Sequence, residues 1–357
     1  MVVADRSPLR ILYIALRDSG SCRSRRIGLE KLGHHVEIVN FFDRVKIPHS
    51  LAASIYARTL CGPAVSSFNH AILRRAKEKH YHWAWVDKGT MVFPRVIRAL
   101  KSMGLFTIHH MTDDFFNPRR HAYFRNMKRA ILDYHVHLTS NMYNVRELRE
   151  MGAPHATQTH LGFDPEFMWP EGRVPAGRDR YRTDVTFVGF WRPHIDDYLV
   201  LLLEEGVDFR SWGARFARSP FRRRYGDRCV SGMVTDEYPW IYASAKIGLC
   251  FLNRDNRNTS TMRSFEIPAA GTFMLGERTE EHIQFFEEGK EAEFFDSPME
   301  MLEKIRYYLT HDEERERIAK AGYERCLKSD YSFAGRIRRD LEKITPIYEE
   351  FLDDSRK

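Results

Sequence analysis

The sequence predicts an α/β protein of two domains, each built on a parallel sheet. Short, continuous apolar runs alternate with amphipathic stretches almost throughout the 357 residues, and a continuous run is the pattern of a strand buried on both faces. One stretch rich in Pro, Gly and charge, WPEGRVPAGRDRYR at 169–182, interrupts the alternation near the middle and reads as a linker. The length also exceeds one ordinary domain and suits two.

The strands of the first half are RILYIAL (10–16), HHVEIVNFF (34–42), YHWAWVD (81–87), LFTIHHM (105–111), HVHLT (135–139) and ATQTHL (156–161). A helix runs from the first strand to Gly33, and another spans 64–79. FPRVIRALKSMG (93–104) is a third, with Pro near its start and Gly at its end. A fourth follows LFTIHHM to about Asp133, and a fifth runs from Asn141 to Gly152. After the linker come TDVTFVGF (183–190), VDFRSWG (207–213), AKIGLCFL (245–252), GTFMLGE (271–277) and EAEFFD (291–296). From about Ser297 onward the chain is helical, with Met301, Ile305, Tyr308 and Leu309 at three- and four-residue spacing. Strands separated by helices imply parallel sheets with right-handed crossovers. The predicted domains are 1–170, 171–330 and a C-terminal helix at 331–357.

With 43% hydrophobic and 13% aromatic residues the chain can build real cores, and wholesale disorder is excluded. No apolar run approaches the ~20 residues that span a bilayer, and MVVADRSPLRILYIAL leads straight into a strand rather than a signal peptide. Five scattered cysteines (Cys22, Cys61, Cys229, Cys250, Cys326) without a CxxC pair point to reduced thiols in a cytoplasmic protein. A net charge of +7 is compatible with a phosphate-bearing ligand, with peripheral contact at the inner membrane face, or with an ordinary solvated surface. The densest basic run, ARFARSPFRRRYGDR, lacks the interleaved aromatics of a base-stacking platform, which argues against nucleic acid.

Ligands of parallel α/β sheets bind outside the carboxyl ends of the strands, so the residues after each strand are the candidates. RDSGSCRSRR after the first strand has no GxGxxG, which disfavours a dinucleotide enzyme. DKGT (87–90) is a weak candidate grip for a sugar or phosphate. HHMTDDFF crowds His109, His110, Asp113 and Asp114 at a strand end; one aspartate is expected to serve as base or hydroxyl ligand and the other to cap a following helix. In the second half, FVGFWRPH supplies Gly189, which permits close backbone approach, and Arg192 for a phosphate. Trp212, Gly232 and Val234 lie after the later strands.

The richest segment is NRDNRNTSTMRSFEIPAAGTFMLGE at 253–277. Thr259, Ser260 and Thr261 are suitable N-cap residues for a short helix, whose free N–H groups attract an anion. Arg263 strengthens that site, and Glu266, one turn later, can accept two hydrogen bonds from a vicinal diol. Phosphate at the helix end and ribose one turn down describe a nucleoside-diphosphate site.

FVGFWRPH, AKIGLCF, RSFEIPAAGTFMLGE and the stretch from FFEEGKEAEFF to GYERC resemble the C-terminal half of GT-B glycosyltransferases, in particular the CgeB-like (spore-maturation-like) group related to glycosyltransferase family 4. The resemblance covers 183–328 well; in the first half it rests on DKG, HHMTDD and LGFDPEF. It implies two Rossmann-like domains facing a cleft, with the final helix (about Tyr331 to Asp353) crossing back to the first. It also implies Arg263 on the diphosphate and Glu266 on the ribose. Family 4 enzymes typically carry Glu-x7-Glu here, and the first of these positions holds Asn258, a departure where the donor sugar is gripped.

The expected function is a hexosyltransferase of polysaccharide-biosynthesis type, moving a sugar from a nucleoside-diphosphate sugar to a glycan, lipid-linked or small-molecule acceptor. No cofactor or metal is expected: Arg263, Arg192 and the helix end neutralise the leaving diphosphate, while Asp113, Asp114 or His110 serves the acceptor. Retention of configuration is expected by analogy with family 4. A nucleotide-sugar hydrolase or epimerase on the same fold is the alternative, and a basic nucleic-acid-binding protein a more distant one.

Overall fold

A computed structural model describes residues 8–45, 55, 56, 58–118, 122–166, 178–216, 219, 226–232 and 237–356. Most of the expected linker, Val234, and Arg218, Arg222, Arg223 and Arg224 of the basic run lie outside the described residues. The chain divides into two compact units. The first holds the described residues up to His160 together with Asp255–Arg257 and those from Phe333 onward; the second holds Leu161–Arg254 and Asn258–Ser332.

The first unit is a six-stranded parallel sheet of order β2-β1-β3-β4-β5-β6. Its strands are β1 (Arg10–Ala15), β2 (His35–Asn40), β3 (Trp83–Asp87), β4 (Phe106–Met111), β5 (Val136–Thr139) and β6 (Ala156–Gln158). Helices α1 (Gly20–Lys31), α2 (Pro63–Glu78), α3 (Pro94–Ser102), α4 (Arg125–Arg129) and α5 (Met142–Glu150) join them. Pro63 and Pro94 occupy first turns, where a missing N–H costs nothing, and Asn141 caps α5 by accepting the Tyr143 N–H. The long helix expected directly after β4 is replaced by turns, the short α4 and a 3-10 turn at Ile131–Asp133. The Asp114 backbone N–H donates to Asn256 Oδ1, 142 residues away in the chain, and its side chain accepts the Phe116 N–H, so neither group enters a helical ladder.

The second unit repeats the plan in the order β12-β11-β10-β7-β8-β9. Its strands are β7 (Thr183–Val188), β8 (Phe209–Gly213), β9 (Cys229–Ser231), β10 (Ala245–Cys250), β11 (Phe273–Glu277) and β12 (Glu293–Phe295). All pairings are parallel. Between them lie α6 (Asp196–Glu204), α7 (Tyr238–Ala243), α8 (Arg263–Ala269) and α9 (Glu280–Phe285), followed by α10 (Pro298–Thr310) and α11 (Asp312–Lys328). The three-residue β9 carries no apolar run that sequence reading could find. Thr279 and Ser297 cap α9 and α10 through the His282 and Glu300 N–H groups.

The last helix, α12 (Phe333–Asp354), packs on α1 of the first unit. Gly28 makes the approach possible, since a β-carbon there would lie 3.4 Å from Ala334 Cα and Ile337 Cγ1. Ile337, Leu341, Ile344 and Tyr348 of α12 join Trp83, Phe106 and Ile108 in one core. No helix among the described residues is long and apolar enough to cross a membrane.

Two stability predictions follow from this packing. Gly213 stands at φ +136, and a β-carbon there would lie 2.0 Å from Gly189 O. Gly213→Ala should therefore cost about 3 kcal/mol or more, read by urea unfolding, whereas Gly226→Ala, with open space around it, should be near neutral. Asp340 is buried on α12, and burial pushes its carboxyl up to about 6 against the hydrogen bond it accepts from Thr159 Oγ1 (2.6 Å). The native carboxyl thus keeps its proton to higher pH than the unfolded one (about 3.9), so its contribution to stability falls as pH rises from about 4 to 6, by about 2–3 kcal/mol. The stability of Asp340→Asn relative to the wild type should rise by that amount between pH 4 and 7.

Candidate functional site

In the second sheet β7, β8 and β9 step outward on one side and β10, β11 and β12 on the other. The order therefore reverses between β7 and β10, and the crevice at their carboxyl ends is the place where such sheets take ligands. Arg263, in the first turn of α8, spans it: Nε donates to the carbonyl of Val188, the last residue of β7, at 2.8 Å. Its Nη1 pairs with Glu266 Oε2, and the guanidinium lies 5.3 Å from the centre of the Tyr238 ring. Glu266 is 0% exposed. Burial pushes its carboxyl up, Arg263 pulls it down, and the balance stays above the ordinary value.

Three buried acceptor atoms of this region have no hydrogen-bond partner, Glu266 Oε1, Asn258 Oδ1 and Asn253 Oδ1, while the Tyr238 hydroxyl adds to Arg263 in favouring the charged form of the Glu266 carboxyl. Asn258 is oriented by its own amide, whose Nδ2 donates to Ser260 O at 3.0 Å, so the oxygen faces away from that bond. A buried acceptor left without a donor costs about 1–3 kcal/mol, and hydroxyl-bearing ligands are what such atoms suit. The buried indole N–H of Trp212, at the end of β8, is likewise without a partner.

The expected Thr-Ser-Thr cap is not formed. Met262 occupies the cap position without a side-chain cap bond. Thr259 Oγ1 donates to Glu281 at 2.6 Å, and Thr261 Oγ1 lies 3.7 Å from Cys250 Sγ. The cause is a competing network in which Ser264 Oγ accepts the Thr261 N–H (3.0 Å) and lies 2.7 Å from His282 Nε2. His282 Nδ1 is 2.7 Å from the Glu277 carbonyl and so must donate to it, which leaves Nε2 to accept from Ser264. Burial holds His282 below its ordinary pKa, in the neutral form this arrangement needs.

Gly189 and Gly232 have structural roles in addition to their place at strand ends. The Gly189 N–H donates to Trp212 O (2.9 Å) and the Gly232 N–H to Gly213 O (3.0 Å), extending the sheet pairing beyond the strands. Arg192 is half-buried and opens the turn Pro193–Ile195, its carbonyl accepting the Ile195 N–H at 3.1 Å.

The first sheet reverses between β1 and β3, and there too an arginine bridges, this one buried. Arg25, 2% exposed on α1, places Nε 2.8 Å and Nη2 2.7 Å from Asp87 Oδ2, which also accepts the Tyr13 hydroxyl at 2.6 Å. Burial pushes Asp87 up, but Arg25 outweighs it and keeps the carboxylate ionised. Sequence reading missed Arg25, since a helical arginine reads as solvated. Beyond Asp87, Lys88 and Gly89 both stand at φ 66 in the left-handed region, and Lys88 Nζ meets Asp113 Oδ2 at 3.0 Å.

The structure separates the residues that HHMTDD crowds together. His110 is buried inside β4 against Trp85, and burial, reinforced by Arg25, lowers its pKa to about 3. The expected catalytic histidine is thus enclosed in the sheet, away from solvent. His109 is also buried, its Nδ1 2.9 Å from His137 Nδ1, and burial keeps both rings neutral. Asp114 is 1% exposed and bound on both oxygens. Arg257 donates from Nε (2.6 Å) and Nη2 (2.9 Å), Asn144 Nδ2 at 2.8 Å and the Phe116 N–H at 3.1 Å. Burial pushes its carboxyl up, yet these donors hold it below the ordinary range. A carboxylate so saturated is no proton acceptor, which corrects the catalytic expectation for Asp114. Asp113, with 22% of its side chain exposed beside Lys88, is the aspartate solvent can reach.

Residues 198–342 match the model of a family described as glycosyl transferase-like. No curated protein matches the sequence. The structure is similar to sucrose-phosphate synthase from Thermosynechococcus elongatus at 12% identity and a TM-score of 0.67, covering 97% of this chain and 100% of that one. It is similar to a glycosyltransferase from Rickettsia africae ESF-5 at 13% identity and a TM-score of 0.64, covering 97% of this chain and 99% of that one. Anabaena Alr3699/HepE, solved in complex with UDP and glucose, is similar at 12% identity and a TM-score of 0.61, covering 95% of this chain and 99% of that one. The fold is that of GT-B glycosyltransferases, and the family match supports glycosyl transfer.

Breaking the Arg263–Glu266 pair from one side leaves a buried charge without its partner. Arg263→Ala should cost about 3–5 kcal/mol of stability. Because Glu266 then binds its proton more tightly when folded than when unfolded, the loss should grow as pH rises above about 4.3. Unfolding at pH 5 and pH 8 measures both parts; an equal loss at the two values would contradict the pairing.

Proposed function

We propose that this chain transfers a hexosyl group from a nucleoside-diphosphate sugar to the hydroxyl of a glycan, lipid-linked or small-molecule acceptor, without a metal ion. The observation that carries the reading is the Arg263–Glu266 pair at the reversal point of the second sheet, with the buried acceptors Glu266 Oε1 and, in the loop leading to it, Asn258 Oδ1 without a donor. A ribose diol supplies two O–H donors for a carboxylate, a donor-sugar hydroxyl supplies one for an amide oxygen, and a guanidinium suits a diphosphate. The family match over 198–342 supports the same chemistry.

In the proposed reaction the acceptor oxygen bonds to the anomeric carbon as the bond from that carbon to the diphosphate oxygen breaks. The electron pair leaves with the diphosphate, where Arg263 and Arg192 stabilise the growing charge more than they stabilise the bound donor. With retention, the departing phosphate takes the acceptor proton. Asp113 then orients the acceptor hydroxyl from beside Lys88.

Calorimetry with UDP, GDP and ADP tests the binding half. Glu266→Gln should weaken the diphosphate that binds, by about tenfold for a lost charge-assisted bond, and leave its 2′,3′-dideoxy analogue nearly unchanged; equal losses would make Glu266 structural. Kinetics with the donor and acceptor found by screening test the other half. Asp113→Asn should raise the acceptor KM with kcat little altered, and EDTA should leave turnover intact. A fall of kcat by about 10²–10⁴ would instead assign Asp113 as the base of an inverting reaction, and loss to EDTA with recovery in Mg²⁺ would end the metal-free reading.

A further inference from the structure

The loop between β10 and α8 contains three residues, Asp255–Arg257, that belong to the first unit, although their neighbours on either side belong to the second. They are held densely. Asn256 Oδ1 accepts the Asp114 N–H at 2.9 Å, and the Asn256 carbonyl accepts Asn141 Nδ2 at 2.8 Å. The Arg257 guanidinium makes its two bonds to Asp114 (2.6 and 2.9 Å) and reaches both oxygens of Glu147 from Nη2 at 3.0 and 2.9 Å. The Tyr143 ring lies 5.1 Å from its centre. Arg257 itself stands at φ 46, a left-handed conformation that a non-glycine residue keeps only where its surroundings over-determine it.

Arg257 is peptide-bonded to Asn258, and four residues further on is Thr261, so the gripped segment leads directly into the residues that surround Arg263. We infer that Arg257 is a positioning residue for the nucleotide site: gripped by Asp114 and Glu147, it orders the loop before the ligand arrives. The inference rests on the nucleotide-sugar reading above. The physical reason is preorganisation. A loop that is ordered only on binding subtracts its lost freedom from the affinity, and one already fixed does not. The loop is also closed on itself by the Asn258 N–H bond to Asn253 O (3.3 Å), so holding its middle removes freedom from Asn258 as well. On this account the buried Asp114 acts on the donor through Arg257 and touches neither substrate nor reacting atoms.

Calorimetry with UDP, GDP and ADP on the wild type, Arg257→Gln, Asp114→Asn, the double variant and Arg257→Lys decides, each well below its own melting temperature. Each single variant should weaken the diphosphate that the wild type binds by about tenfold, the double variant should be no weaker than either single one, and lysine, which keeps the charge but not the fork on Asp114, should recover only part of the loss. A merely structural role would lower melting temperature without this non-additivity in affinity. If Asp114→Asn or Arg257→Gln does not fold, Glu147→Gln and Arg257→Lys replace them, with about threefold losses expected. Amide exchange of 253–262 should also quicken in the variants. Wild-type binding with variants that bind equally well, or with losses that multiply independently, overturns the role of Arg257. A wild type that binds none of the three diphosphates overturns the nucleotide reading and this inference with it.

Discussion

The arrangement of the second unit depends on one guanidinium, that of the partly exposed Arg263, paired with the fully buried Glu266. Arg263 reaches from the first turn of α8 to the last carbonyl of β7 and back to Glu266 on its own helix, so helix and strand end cannot move apart without exposing an unpaired charge. Burying an ion pair is a weak source of stability, because desolvation offsets most of the attraction. What it supplies is location: a cation fixed where the strand order reverses, with the Glu266 carboxylate beside it. The first unit solves the same geometric problem with Arg25 and Asp87 across β1 and β3. Parallel sheets leave their carboxyl ends lined with polar backbone at the reversal point, and in each half an arginine spans that gap, buried in the first and partly exposed in the second.

The strands were legible because parallel sheets bury both faces and so write continuous apolar runs such as ILYIA and WAWV. The one strand that left no trace, Cys229–Ser231, is three residues long and follows a basic run. The region after β4 misled for a physical reason. Asp113 and Asp114 have the composition of a helix start, but whether a carboxylate caps a helix or binds an arginine is decided by what folds against it. For Asp114 that partner is Arg257, 143 residues away in the chain; for Asp87 it is Arg25, 62 residues away. Such pairs carry no local pattern, and an arginine on a helix or in a polar loop looks solvated until its partner is in place. Arg263 and Glu266 were found because their partnership is local, three residues apart on one helix.

Burial also sorts the titratable groups in a way that sequence order does not. His109, His110, His137 and His282 are all enclosed and all held neutral. His109 and His110 sit in β4, His137 in β5 and His282 in α9, each enclosed where protonation would cost desolvation. The buried acids divide by partner. Asp87 and Asp114 stay ionised because an arginine faces each. Asp340, answered mainly by a threonine hydroxyl, is pushed up instead. A carboxylate matched to an arginine is a poor base, and of the pair Asp113, matched to the more flexible Lys88, is the one that solvent reaches.

The same reasoning bears on Asn258, where family 4 enzymes typically carry a carboxylate. Glu266 already strains against burial, and Asp164 nearby adds to that strain while Arg263 relieves it. A second carboxylate at 258 would draw on the same guanidinium, and one cation compensates two buried anions poorly. An amide presents an oxygen of similar geometry without the charge. On the proposed reading, its hydrogen bond to a sugar hydroxyl would be the weaker, neutral kind, roughly half the strength of one to a carboxylate. More of the donor's binding would then fall to the charged pair Arg263 and Glu266, and a loop between β10 and α8 ordered in advance would add to it by removing an entropic cost.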